Sequence, residues 1–238
     1  MNIHISERHD QLIAACADHL LSVLAESIDA RGVARIALSG GSTPKSLYDF
    51  LASPTQEKRI DWSRVECYFG DERAVPQDHP DSNFGMANRY LFAPLDLPKA
   101  HLFPMISAPM RDLEEEADRY QTLLSDWAGS AAPVFDFILN GMGTDGHFAS
   151  LFPNTPALDE RTRWVVVNPV TQLSTMRLTL TFPVFEQARN VCFLAAGVGK
   201  QPAFQAIQKP DCDLPSALLT QRRATDWFID RDCAGRST

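Results

Sequence analysis

Apolar residues spaced three or four positions apart predict the helices of this chain. In the first helix, apolar residues recur at every fourth position: Leu12, Cys16, Leu20, Leu24 and Ile28. This spacing indicates an amphipathic helix over residues 7–30, and Gly32 is expected to end it. Similar patterns predict helices over residues 45–52, 83–91, 113–127 and 201–207.

Short apolar runs between the helices predict strands. They cover residues 33–38, 65–69, 135–139, 164–167, 177–181 and 191–196. Because strands alternate with helices, the pattern predicts an α/β fold with a largely parallel sheet. Residues 92–110 are rich in proline and lack periodicity, which predicts a surface connection. No repeat or linker divides the chain, so we expect a single domain over residues 1–238.

Composition narrows the class of protein. The 238 residues are 45% hydrophobic and 22% charged, which is typical of a soluble globular protein. The formal net charge of −8 argues against a nucleic-acid binder or a protein of anionic membranes. No apolar run approaches the ~20 residues that cross a bilayer, and residues 1–8 lack the features of a secretory signal. The five cysteines form no Cys-x-x-Cys pair, which favours a reducing, cytoplasmic location without a zinc site.

Four segments at predicted strand ends carry unusual chemistry. They are residues 39–44, 70–73, 141–147 and 197–200. Ligands of open parallel sheets bind outside the carboxyl ends of the strands. We therefore expect these four segments to meet at one rim of the sheet.

Two of these segments have the chemistry of an anion site. Gly40 and Gly41 allow close backbone approach to a ligand, and Ser42 and Thr43 add hydroxyl groups. We expect Thr43 to cap the following helix, whose first residue would be Pro44. A helix N-terminus after a glycine loop attracts anions, as would Lys200 at the start of a later helix. The alternatives are a plain strand-to-helix turn at residues 39–44 and a surface lysine at 200. The glycine loop is not a Walker A loop, because no Gly-Lys-Ser/Thr follows it at the required spacing.

The other two segments carry titratable side chains. Residues 141–146 contain a formal Gly-x-Gly-x-x-Gly, but Pro153 and the missing downstream acid argue against a dinucleotide site. Asp145 and His147 instead present an acid and an imidazole on a glycine turn. A metal pair is conceivable there, yet two ligands do not make a zinc site. The triplet of Asp71, Glu72 and Arg73 is either a solvated loop or part of the same site, and Arg177 is a weaker candidate.

The motifs resemble those of the 6-phosphogluconolactonases. The resemblance rests on SGGSTP at 39–44, DER at 71–73, DSN at 81–83, GMGTDGHFASLFP at 141–153, RLTLT at 177–181 and GVGK at 197–200. It covers nearly the whole chain, and the long block at 145–153 is its most specific part. It implies a Rossmann-like sheet with helices on both faces, shared with glucosamine-6-phosphate deaminases. Asn140 and Gln201 depart from the residues usual at their positions.

The resemblance also implies an activity and roles for residues. The expected reaction is hydrolysis of 6-phosphogluconolactone in the pentose phosphate pathway, without a cofactor. No metal is expected, because no Cys or second His stands near Asp71, Asp145 and His147 in the sequence. His147 matches the catalytic histidine, and Arg73 and Lys200 match substrate-binding cations. An imidazole, whose ordinary pKa is about 6.5, suits a base for water. Asp145 or a backbone carbonyl would orient it, and Arg73 would bind phosphate or stabilise the oxyanion.

The remaining site predictions concern the substrate and its partners. We expect Gly40, Gly41, Ser42, Thr43, Asp71, Lys200 and Arg177 to bind a phosphorylated sugar lactone. No nucleic acid or membrane partner is expected, and the chain would act as a monomer or homodimer. Covalent catalysis by Ser150 lacks a Gly-x-Ser-x-Gly elbow. The alternatives are an aminosugar-phosphate deaminase and isomerase on the same fold, and a sugar-phosphate-binding regulator without turnover.

Overall fold

The structure, a computed structural model, describes residues 1–107 and 112–235. Its strands are β1 (Asn2–Ser6), β2 (Ala34–Leu38), β3 (Val65–Phe69), β4 (Asp71–Arg73), β5 (Phe137–Asn140), β6 (Val165–Val170), β7 (Thr175–Leu180), β8 (Asn190–Ala195) and β9 (Asp226–Asp230). Its α-helices are α1 (His9–Arg31), α2 (Ser42–Leu51), α3 (Asn83–Ala87), α4 (Leu113–Ala128), α5 (Phe182–Gln187), α6 (Gln201–Ile207), α7 (Pro215–Arg222) and α8 (Arg231–Ala234).

Six strands form a parallel sheet in the order β1-β9-β8-β5-β2-β3. Its strands pair in parallel throughout, which confirms the predicted α/β fold. Helices pack on both of its faces. Phe228 of β9 faces His19 of α1, whereas the preceding Trp227 faces Phe204 of α6 on the other side. Successive side chains of a strand point to opposite faces, so these two contacts define the two helical layers.

A small antiparallel sheet lies beside the parallel one, in the order β4-β7-β6. Gly70 joins the two sheets: its N–H donates to Leu38 of β2, and its carbonyl accepts from Leu180 of β7. Arg73 of β4 is the register partner of Arg177 of β7. Two predicted strands, at 164–167 and 177–181, therefore belong to this second sheet.

Helix α1 packs its apolar stripe against the parallel sheet. Leu12, Cys16, Leu20 and Leu24 are all fully buried, as the four-residue spacing requires. Gly32 ends the helix in a left-handed conformation with φ 78°, and its N–H donates to Ile28. By length and composition α1 could cross a membrane, but 56% of its most apolar window is buried inside the fold.

Several predicted boundaries were wrong. Helix α2 begins at Ser42 and is preceded by Gly41 at φ 107°, so Thr43 is not the cap and Pro44 is not the first helical residue. A positive φ is available to glycine, which lets the chain turn into the helix early. The predicted helix over 83–91 is α3 followed by a π-helical segment, Asn88–Phe92.

The predicted surface connection over 92–110 was also partly wrong. Leu97, Met105 and Ile106 are buried, because this segment packs along β3, where Phe103 donates its N–H to Cys67. Residues 108–110 of that prediction lie outside the described residues. The irregular backbone gives no periodic signal, so its burial was not predictable from spacing.

Candidate functional site

The four predicted segments line one cavity of about 210 Å³. It lies at the carboxyl ends of β2, β5 and β8, where parallel sheets place their ligands. Its wall includes all of 39–44, Asp71, Arg73, 141–143, His147 and Lys200. The predicted convergence on one rim is therefore confirmed.

His147 and Asp145 form a close pair at this cavity. The imidazole Nδ1 lies 2.5 Å from the Asp145 Oδ1, and the His147 N–H approaches the same oxygen at 3.3 Å. Burial alone would raise the pKa of Asp145, but the hydrogen bond from His147 and the attraction of its charge outweigh burial and lower it. With Nδ1 engaged by a carboxylate, Nε2 remains as the ring nitrogen available for other chemistry.

The loop around His147 is built for close packing. A Cβ on Gly143 would overlap the His147 ring and the Asp145 carboxylate, so only glycine fits there. The imidazole also stacks on Phe152, with ring centroids 3.8 Å apart and planes at 23°. Ala149 has φ 46°, a conformation uncommon for a non-glycine residue, and it turns the chain so that Phe152 returns beneath the histidine. Phe152 thus packs on one face of the ring, and Gly143 leaves room for its Nδ1 edge.

Asp71 faces the cavity and is nearly buried, at 6% exposure. Its Oδ2 accepts a 2.6 Å hydrogen bond from the Ser150 hydroxyl, and its Oδ1 accepts one from the Asn83 amide at 3.2 Å. Ser150 is therefore directed toward a carboxylate and not toward the imidazole. This geometry lacks the serine–histidine contact that a nucleophilic serine needs.

Arg73 and Arg177 are neighbours across the small sheet. Arg73 lines the cavity and donates through Nη1 to the Asp81 carbonyl at 2.5 Å. Arg177 is not among the cavity-lining residues and lies beside Arg73. Burial is the main reason that the pKa of Arg177 is lowered, and the charge of Arg73 acts in the same direction. Within the described residues, the Nε–H groups of both side chains are buried without a hydrogen-bond partner.

The anion-binding chemistry gathers at the N-terminus of α2. Ser42 and Thr43 lie in its first turn, where backbone N–H groups have no partner inside the helix. Lys200 reaches the same cavity from the short turn Val198–Lys200 that precedes α6. Gly40 packs against the Asn83 amide so closely that a Cβ would overlap it. A helix N-terminus, a lysine and hydroxyl groups together favour a phosphate or carboxylate group.

Comparison with known proteins fits this arrangement. Residues 7–227 match the family described as glucosamine-6-phosphate isomerases/6-phosphogluconolactonase. The chain belongs to this family. It is 39% identical over 214 residues to a 6-phosphogluconolactonase of Synechocystis sp., covering 87% of this chain and 86% of that protein. It is 37% identical over 243 residues to a 6-phosphogluconolactonase of Mycobacterium tuberculosis, covering 99% and 98%.

A solved structure extends the likeness to the fold. The 6-phosphogluconolactonase of Trypanosoma brucei superposes with a TM-score of 0.85 at 28% identity. The match covers 100% of this chain and 98% of that one. The Rossmann-like architecture expected from the motifs is therefore confirmed by the family's own fold.

The two departures from the family's usual residues lie outside the cavity wall. Asn140 is 1% exposed at the end of β5, and its Nδ2 has no hydrogen-bond partner within residues 1–107 and 112–235. Gln201 lies beside Gly235, at the end of α8. Neither is among the residues that line the cavity.

The roles of some residues of the site were not predicted by sequence reasoning. Asn83 and Ser150 hold the Asp71 carboxylate, and Ser39 and Met142 add to the cavity wall. The DSN and GMGTDGHFASLFP motifs were the available signal for Asn83 and Ser150, because each residue stands inside one of them. Among the described residues there is no group of three or more His, Cys, Asp or Glu side chains arranged to hold a metal ion.

Proposed function

We propose that this chain hydrolyses 6-phospho-D-glucono-1,5-lactone to 6-phosphogluconate, a step of the pentose phosphate pathway. The observation that carries the proposal is that His147, paired with Asp145 at 2.5 Å, lines the same cavity as Lys200. An ester with a phosphate needs a base for water and a cationic cradle, and this cavity contains both. The names of the relatives support the same reaction.

His147 acts as the general base. Because its Nδ1–H donates to Asp145, the neutral ring presents a lone pair at Nε2 to a water molecule beside the lactone carbonyl. The water loses its proton to Nε2 as its oxygen attacks that carbonyl. Asp145 stabilises the imidazolium that forms, and the proton then passes to the ring oxygen when the C–O bond breaks.

The cations divide between the two ends of the substrate. Ser42, Thr43 and Lys200 bind the phosphate, with Gly40 and Gly41 giving the backbone close access. Arg73 stabilises the tetrahedral oxyanion, and Arg177 adds positive charge from behind it. Asp71, held by Ser150 and Asn83, accepts a hydrogen bond from a sugar hydroxyl.

The whole chain is a single lactonase domain over residues 1–238 that works without a cofactor or metal. We propose a cytoplasmic monomer or homodimer, with a phosphorylated sugar lactone as partner and neither nucleic acid nor membrane.

One observation separates this reaction from deamination on the same fold. In the resembling deaminases, a glutamate stands five residues after the equivalent histidine and takes part in proton shuttling. That position here is Phe152, whose ring stacks on His147 and offers no proton-relay contact. Asp71 is the residue that would favour the rival reaction, since its carboxylate lines the cavity.

The test compares two substrates at equal enzyme concentration. Acid release from fresh 6-phosphogluconolactone is followed above its uncatalysed background, and ammonia release is followed with glucosamine 6-phosphate. We expect rapid acid release and no ammonia. Steady ammonia production without a lactonase rate would overturn the proposal in favour of the deaminase. Binding of 6-phosphogluconate with neither activity would favour the regulator.

A further inference from the structure

Glu72 stands between two site residues, yet it is not part of the cavity wall. It is 1% exposed, and its carboxylate accepts four hydrogen bonds. Oε1 accepts from the backbone N–H of Arg73 at 2.8 Å and of Asn83 at 2.7 Å. Oε2 accepts from the N–H of Phe84 at 2.9 Å and from the Ser82 hydroxyl at 3.1 Å. One buried side chain therefore fastens β4 to the start of α3.

The donors around Glu72 define which form of its carboxyl group fits. Three of the four are backbone N–H groups, which can only donate, so both carboxyl oxygens must act as acceptors here. Burial raises the pKa of Glu72, the three N–H groups oppose that rise, and the nearby Asp71 charge adds to it. The surroundings are thus arranged for an acceptor on both oxygens.

Asn83, which Glu72 holds through its backbone, contacts the candidate site in two places. Its Nδ2 donates to the Asp71 carbonyl at 2.8 Å and to the Asp71 carboxylate at 3.2 Å. Its Oδ1 lies where a Cβ on Gly40 would stand. A shift of Asn83 would therefore move a cavity carboxylate and the glycine loop together.

We propose that Glu72 is a positioning residue for the lactonase reaction, acting through Asn83 to hold Asp71 and the Gly40 loop in their productive arrangement. The inference rests on the proposed function for its reaction, but the contact itself does not depend on the substrate. Glu72 touches no reacting atom. Its effect on turnover passes through the backbone of residues 82–84.

The test is the substitution Glu72→Gln. The variant keeps the volume of the side chain but points an NH₂ group at the Phe84 N–H, so donor faces donor. Misplacement of site groups by about 1 Å lowers turnover by up to ~10²-fold. We expect kcat/KM on 6-phosphogluconolactone to fall roughly 10- to 100-fold, with faster amide exchange at residues 83–87 in the free protein.

Glu116→Gln is the matched control. Glu116 is also 1% exposed, and it accepts from the Ser107 N–H, the Ser107 hydroxyl and the Arg119 guanidinium at a place apart from the cavity. Loss of its bonds is expected to lower Tm and leave kcat and KM unchanged. A general loss of stability would instead affect both variants alike, which would overturn a positioning role for Glu72.

A double-mutant comparison tests the route through Asn83. If Glu72 acts through this residue, adding Glu72→Gln to Asn83→Ala lowers kcat/KM little further. If the losses of kcat/KM in the two single variants multiply in the double variant, the route through Asn83 is overturned. If Glu72→Gln does not fold, Ser82→Ala serves in its place, with a smaller loss expected in the same assay. It removes one of the four bonds and also the hydroxyl that accepts from the Gly85 N–H.

Two results distinguish this inference from the proposed function. Absence of lactonase activity in the unaltered protein removes the proposed function, whereas the exchange measurement still reports on the contact. Full activity of Glu72→Gln alongside an active unaltered protein overturns the positioning role and leaves the proposed function standing.

Discussion

The imidazole of His147 lies stacked on the ring of Phe152, at a centroid distance of 3.8 Å. Phe152 is 4% exposed, so the stack forms the inner floor beneath the histidine. Asp145 holds the Nδ1 edge of the same ring at 2.5 Å. A face and an edge of the imidazole are thereby fixed, and the Nε2 edge is the part to which the proposed mechanism assigns the water molecule.

His147→Ala is expected to remove most turnover and leave the fold intact. General-base catalysis contributes typically ~10²–10⁴-fold, so kcat should fall by about that range with KM little changed. Steady-state kinetics on 6-phosphogluconolactone measure the effect, and circular dichroism checks the fold. A variant with the kcat of the unaltered protein would remove His147 from the mechanism.

Gly143→Ala is expected to displace His147 without removing it. The added Cβ would overlap the imidazole and the Asp145 carboxylate, so the pair must shift. We predict a loss of kcat that approaches that of His147→Ala, although the side chains of His147 and Asp145 are still present. Gly129→Ala is a control for the effect of the methyl group, because a Cβ there meets no atom within 4 Å. The φ of 71° at Gly129 adds backbone strain to this control. Unchanged kcat in Gly143→Ala would show that the pair tolerates displacement.

Lys200→Ala is expected to weaken binding of the phosphorylated substrate. A hydrogen bond to a charged group contributes roughly 1.5–3 kcal/mol, which corresponds to about 10- to 150-fold in affinity at ~1.4 kcal/mol per decade. The loss of affinity caused by Lys200→Ala should be smaller when unphosphorylated gluconolactone is the substrate. An equal loss on both lactones would mean that Lys200 does not contact the phosphate.

Glu160→Gln is expected to lower stability at neutral pH but not in strong acid. Hydrogen bonds from the N–H of Arg163, the N–H of Thr162 and the Thr162 hydroxyl lower the pKa of Glu160 to about 2. The stabilisation is complete above the unfolded-state pKa of ~4.3 and is lost as pH falls toward the folded value. Thermal melts of both proteins should show a Tm difference at pH 7 that closes between about pH 4 and pH 2. A Tm difference that stays constant over this pH range would contradict the lowered pKa of Glu160.

Prolonged dialysis against EDTA is expected to leave the lactonase rate unchanged. Asp71, Asp145 and His147 line or adjoin the cavity, but Asp71 is already engaged by Ser150 and Asn83, and Asp145 by His147. Within residues 1–107 and 112–235, no three His, Cys, Asp or Glu side chains are grouped so as to hold a metal ion. Activity that disappears and then returns with zinc or magnesium would require a different mechanism.

The local sequence determined a large part of this protein. Helix α1 and strand β3 followed from the spacing of apolar residues, because burial of one face is a local pattern that repeats along the element. The meeting of the four segments at one rim could also be predicted, since the carboxyl ends of parallel strands must lie on one side of their sheet. His147 and Lys200 could therefore be assigned to one cavity without coordinates.

Strands β1 and β9 were not predicted, because local spacing gives no signal for either of them. They pair with each other although Asn2 and Asp226 stand at opposite ends of the chain. Each is short and carries polar residues, so its strand character depends on a partner that is distant in sequence. The connection over 92–110 likewise owes its buried residues to packing against β3.

Only the tertiary structure decided how the polar groups of the site pair. Asp145, and not a backbone carbonyl, faces the His147 Nδ1, Ser150 turns to Asp71, and Arg177 stands beside Arg73 outside the cavity wall. Each contact depends on distances and angles between groups on different segments, and a hydrogen bond weakens steeply when either is wrong. Residue type and spacing identify the groups, whereas the packing of β4, β7 and the 141–153 loop selects their partners.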